Sequence, residues 1–132
     1  MNDTTSSADF DKGLTAYNSS DFATALREWT PLAEQGNAVA QSNLGVMYGE
    51  GRGVIQDYKT AVKWYTLAAK QGNARAQFNL GTMYRVGKGV PQNDKTAVKY
   101  YTLAAEQGDT LAQSNLGYMY DEGQGVPKND MD

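Results

Sequence analysis

Residues Asn37 to Gly72, NAVAQSNLGVMYGEGRGVIQDYKTAVKWYTLAAKQG, are repeated without a gap by Asn73 to Gly108, NARAQFNLGTMYRVGKGVPQNDKTAVKYYTLAAEQG. A third copy opens at Asp109 with DTLAQSNLGYMYDEGQGVPKND. Starts at 37, 73 and 109 fix a period of 36 residues. A fixed period of about 20–50 residues is the mark of a solenoid, in which each unit buries its apolar face only against its neighbours. The expected fold is therefore all-α, a row of antiparallel helix pairs. Such a row serves more naturally as a binding surface than as a reaction vessel.

Each unit reads as helix A, a glycine-rich loop, helix B and a short turn. The spacing of Phe10, Leu14 and Tyr17 predicts a first A helix over 8–18. Asp21 is a good N-cap for the first B helix, whose stripe is Phe22, Ala25, Leu26, Trp29, Leu32 and Ala33. Pro31 lies inside that helix and should kink it. The later A helices are predicted at 38–48, 74–85 and 110–120, and the later B helices at 58–71 and 94–107. Gly36, Gly72 and Gly108 sit where a left-handed residue ends a helix, and Asn37, Asn73 and Asp109 follow as N-caps. The loops at 50–57, 86–93 and 122–129 join A to B. Residues 1–7 are expected to fray. One domain over 1–132 results, divided at 8–36, 37–72, 73–108 and a partial unit at 109–132.

The chemistry open to this chain is narrow. Neither cysteine nor histidine occurs, which removes disulfides, thiolate nucleophiles, the commonest general base and the commonest zinc ligand. No cofactor or metal is expected. The Gly-x-Gly pairs at 51/53, 87/89 and 123/125 follow helices, lack a Gly-Lys-Ser/Thr and recur in every unit, so they are turns and not a phosphate loop. Asp121-Glu122 and Asn129-Asp130 lack calcium-loop spacing. The net charge of −3 argues against nucleic acid or an anionic membrane as main partner. No apolar run approaches the roughly 20 residues that span a bilayer. The sequence as given has no signal peptide, which fits a cytoplasmic protein, or a periplasmic or secreted one whose leader has been removed.

These repeats resemble the Sel1-like family, relatives of the tetratricopeptide repeats. The likeness is carried by Asn43-Leu44-Gly45 and Tyr48, by Gly51, Gly53 and Val54, and by Ala61, Trp64, Tyr65, Ala68, Ala69 and Gly72, with matching copies 36 residues on. Pro91 and Pro127 complete the later loops, and Ile55 replaces the first loop proline. The first pair departs from the pattern: Gly13 and Ala25 are 12 residues apart, against 16 for Gly45 and Ala61, the tighter spacing of a tetratricopeptide repeat. The resemblance implies a right-handed α-solenoid and a non-catalytic adaptor for protein or peptide partners, with many bacterial members exported. A β-lactam-binding or hydrolase-type bacterial member is the alternative it brings, from a cysteine-rich subgroup whose cysteines this chain lacks.

Comparison among the copies separates scaffold from candidate site. Ala40, Leu44, Gly45 and Tyr48 recur in every copy on one helix face and should pack; Gln41 and Asn43 recur as well and read as structural hydrogen bonders. Positions that vary fall on another face: Val39, Ser42 and Val46; Arg75, Phe78, Thr82 and Arg85; Leu111, Ser114 and Tyr118. By analogy with tetratricopeptide solenoids, whose A helices line the concave side, this face is the candidate groove. Phe10, Leu14 and Tyr17 extend it. Phe78 and Tyr118 are the aromatic anchor candidates, and Arg75 and Arg85 the partners for carboxylates. Phe78 packing into a joint between helices is an equal alternative. The asparagine that follows the A-helix glycine in carboxylate-clamping relatives is replaced by Leu14, Val46, Thr82 and Tyr118, which disfavours that clamp. The last A helix carries Leu116, Met119 and Tyr120 with no B helix after it, which suggests truncation or end-to-end self-association.

Overall fold

A computed structural model describes residues 7–127. Seven helices and no strand occur among them: α1 Phe10–Asn18, α2 Phe22–Glu34, α3 Ala38–Glu50, α4 Tyr58–Lys70, α5 Ala74–Val86, α6 Asp94–Glu106 and α7 Thr110–Glu122. Most of the expected fraying segment, and the pair Asn129-Asp130, lie outside the described residues. Each helix packs chiefly on its sequence neighbours, and α3 also touches α5. That is the contact pattern of an all-α solenoid.

The helix ends follow from single residues. Asn37, Asn73 and Asp109 accept the backbone N–H three residues on, at 2.9, 2.9 and 2.8 Å. The same residues close the preceding helix. Gly36 at φ 100° lets its N–H reach Ala33 O while the Asn37 N–H reaches Leu32 O, both at 3.0 Å. One residue thus ends helix B and starts the next helix A, leaving no slack between repeats. Asp57 caps α4 with both oxygens, accepting from the Thr60 N–H and hydroxyl, which hold its carboxyl below the usual range. The A helices α3, α5 and α7 run one or two residues past the expected ends, to glycines in the left-handed conformation at 51, 87 and 123. Pro31 does not break α2. It stands in the last turn, where its missing N–H leaves only the Arg27 carbonyl without a helical partner.

Within a pair, glycine on helix A meets an aromatic ring on helix B. A Cβ at Gly13, Gly45 or Gly81 would fall 2.5, 2.5 and 2.9 Å from Trp29, Tyr65 and Tyr101. These rings are 1%, 6% and 0% exposed, and alanines 25, 61 and 97 are fully buried beside them. The small residues bring the backbones close and the rings fill what remains.

Between repeats, two devices recur. Gln41 donates to the Ala33 carbonyl at 3.1 Å and accepts from Gln71 at 2.9 Å, while Gln71 also donates to the Gly36 carbonyl at 2.9 Å. Gln77 and Gln107 repeat this at 2.8 to 3.2 Å. The second device is the A-to-B loop, which lies on the start of the previous B helix. A Cβ at Gly53 would meet Phe22 Cβ at 2.8 Å, and one at Gly89 or Gly125 would meet the Tyr58 or Asp94 carbonyl at 2.5 Å. Beside these contacts, Arg52 covers the rings of Tyr17 and Phe22, and Lys88, 36 residues on, covers Tyr58. The Gly-x-Gly loops are therefore joints between repeats as well as turns.

Candidate binding face

The varying residues of the A helices divide into three groups. Leu14 and Tyr17 of α1, Val46 of α3 and Arg75 of α5 come together around a hollow of about 240 Å³, together with Asn18, Asn43 and the edge of Trp29. A second hollow of about 160 Å³ lies between Phe10, Asn37 and Val39. In both, neighbouring repeats supply opposite walls, so neither exists within a single helix pair.

The second group is held inward. Thr82 Oγ1 lies 2.7 Å from the Tyr101 hydroxyl, Arg85 Nε donates to the same oxygen at 3.1 Å, and Asn115 Nδ2 reaches it at 3.4 Å. Phe78 is half-buried, its ring 5.7 Å from that of Tyr101. Its packing role is thus realised, and Arg85 is tied to a buried phenol. Ser42, at the position equivalent to Phe78, is 1% exposed and its hydroxyl has no partner among the described residues. The expectation of an exposed Ser42 is corrected: this position points into the stack where another repeat covers it. Ser114, the copy on α7, is exposed.

The third group, on α7, is open: Leu111 is 62% and Tyr118 57% exposed. Gly117 has no neighbour within 4 Å of a Cβ placed on it, unlike Gly13, Gly45 and Gly81.

Electrostatics distinguish the first hollow. Arg75 is exposed and pairs with no carboxylate among the described residues. Its nearest polar partner is Asn43 Oδ1 at 3.4 Å. Burial pushes the Tyr65 hydroxyl above the ordinary phenol range, with Arg75 pulling the other way. Sequence reasoning assigned Asn43 to the scaffold and so missed its place in this hollow. The available signal was Trp29, which stands 36 residues before Tyr65 and removes the hydroxyl that Asn43 would otherwise meet.

Among the described residues, no three acidic side chains gather as a metal site, and no helix is long and apolar enough to cross a membrane. What remains is a row of helix pairs with hollows between them, the class of α-solenoid repeat scaffolds. The chain belongs to the Sel1 repeat family, whose repeat pattern matches residues 38–73, 74–109 and 110–131. It is similar to a Sel1 repeat protein from Oxalobacter formigenes, with 38% identity and a TM-score of 0.88 over 92% of this chain and 50% of that one. It is also similar to c5321, a protective antigen of uropathogenic Escherichia coli strains displaying the same repeat fold, with 41% identity and a TM-score of 0.88 over 92% of this chain and 27% of that one. The chain thus spans half or less of these two proteins. No curated protein matches it. Repeats of this family generally act as protein-interaction modules.

Proposed function

We propose that this chain is a non-catalytic binding module that receives a protein or peptide on the face formed by its A helices. The observation that carries this reading is the first hollow, which α1, α3 and α5 build jointly from Leu14, Val46 and Arg75. Leu14 and Arg75 stand outside the core clusters, Val46 is half-buried at the edge of one, and the residues at these positions differ from copy to copy. The contribution of Phe78, Thr82 and Arg85 is indirect, since Tyr101 holds them. Binding is therefore concentrated toward the N-terminal half of the face, with Leu111 and Tyr118 as a separate apolar contact.

The test is quantitative partner capture by three purified proteins: wild type, Leu14→Asp on the A face, and Lys63→Glu with Lys99→Glu on the B helices. Leu14 is 41% exposed, so the change leaves the core intact. The expected outcome is loss of captured partners with Leu14→Asp alone. Equal capture by wild type and Leu14→Asp, with loss in the B-helix variant, rejects the A face.

A second reading has its own support. Gly117 is open and Leu111, Tyr118 and Tyr120 are exposed on α7, which favours association of copies through this helix. Sedimentation at rising concentration tests it: dimers that Tyr118→Asp abolishes support it, and a monomer throughout removes it.

A further inference from the structure

We propose that the hollow between α1, α3 and α5 selects an acidic side chain of an extended peptide, bound at Arg75, with an adjacent aliphatic side chain seated against Leu14 and Val46. This rests on the A-face reading above and names the chemistry of its ligand.

Size comes first. Small-molecule sites usually enclose about 300–1,000 Å³. The hollow, at about 240 Å³, is smaller than these and suits one or two side chains.

Donor chemistry comes next. Arginine only donates, so Asn43 must turn its carbonyl oxygen toward Arg75. That leaves the Asn43 NH2 without an acceptor among the described residues, on a residue 9% exposed overall. On α7 the equivalent Asn115 spends its NH2 on the Tyr101 hydroxyl of the preceding pair. Here Trp29 replaces that tyrosine, and its own N–H goes to the Phe10 carbonyl at 3.2 Å. An amide donor without an acceptor and a guanidinium without a carboxylate therefore face one space, and a carboxylate accepts from both.

Charge and position complete the argument. The chain carries a net charge of −3, yet the lining of this hollow contains one arginine and no acid. Glu50, the nearest acid of α3 in sequence, is paired with Arg52 at 2.9 Å. Val39 and Leu111 occupy the position of Arg75 in the other two copies, so the cation belongs to this joint alone. The Phe10–Val39 hollow lies four to seven residues earlier on the same two helices, roughly 6–10 Å away at 1.5 Å per helical residue. An extended peptide covers that distance in about two or three residues. The ligand therefore passes through the first hollow and continues to the second, which favours an internal acidic residue over a chain end.

The experiment is a peptide-display selection on the intact chain with two random libraries, one tethered at both ends and one ending in a free carboxylate. Selections run in parallel on wild type, Arg75→Gln and Leu14→Asp, each checked for native helicity by circular dichroism. The expected result is enrichment, in the doubly tethered library, of Asp or Glu beside Leu, Ile or Val. Arg75→Gln should erase the acid preference and weaken the best synthetic peptide about tenfold. Enrichment without acid, acid preference that survives Arg75→Gln, or enrichment confined to free carboxyl ends overturns this proposal and leaves the A face standing. Peptides that bind Leu14→Asp as well as wild type overturn the A face itself, and absence of enrichment in either library overturns both.

Discussion

Glycine at the middle of helix A has opposite consequences in different repeats. At Gly45 an added methyl would sit 2.5 Å from the Tyr65 ring, and at Gly117 it meets nothing within 4 Å. Alanine improves helix propensity by about 1 kcal/mol wherever it fits. Gly45→Ala should therefore destabilise by about 1–3 kcal/mol, as overpacking does, while Gly117→Ala stabilises by up to about 1 kcal/mol. Urea denaturation of the two variants reads both signs. Tyr65 supplies a pH test. Its folded pKa is raised by burial, so the neutral phenol is favoured in the native state. That stability is fully present below the unfolded value of about 10 and declines as pH rises above it. The expected outcome is a smaller fall in denaturation midpoint between pH 8 and pH 11 for Tyr65→Phe than for wild type. Ser20 is the residue-scale exception to glycine use: it takes φ 62° in the α1–α2 turn, where Asp21 N–H reaches the Ala16 carbonyl at 2.8 Å. Ser20→Gly should stabilise by about 0.5–1 kcal/mol in the same assay.

At the scale of elements, the turns and the loops use glycine differently. Gly72 has a positive φ and empty space around it, whereas Gly89 has a positive φ and the Tyr58 carbonyl 2.5 Å from a would-be Cβ. Gly72→Ala should cost only the left-handed strain, about 1–2 kcal/mol. Gly89→Ala must also lift the loop from α4, so it should cost more and open the joint; hydrogen exchange at the start of α4 reports this. The helices and their caps were legible in the sequence because period and capping are local properties. Gly36, Asn37 and their copies needed no knowledge of the fold. The loop joint was not legible, because Gly53 and Phe22 are 31 positions apart and belong to different repeats. Ser42 was misplaced, and Phe78 left open between two roles, for a related reason: variation between copies marks both open surface and adjustable packing, and only the neighbouring element separates them. The hollow at Arg75 required three helices together.

For the whole molecule, the repeat makes stability local, and on the proposed reading the departures from it make binding local. Each of the three complete pairs is closed by an aromatic on its glycine, and glutamine bonds and docked loops join one pair to the next. On the proposed reading, specificity falls to residues the repeat leaves free, and the densest group of them is where the first helix pair meets the Sel1 repeats. The most direct measurement is a two-dimensional amide NMR titration of the 15N-labelled chain with the best peptide from the display selection. Binding should shift the amides of Leu14, Val46 and Arg75 and leave Lys63 and Lys99 in place. Shifts confined to the B helices around Lys63 and Lys99 would contradict the account.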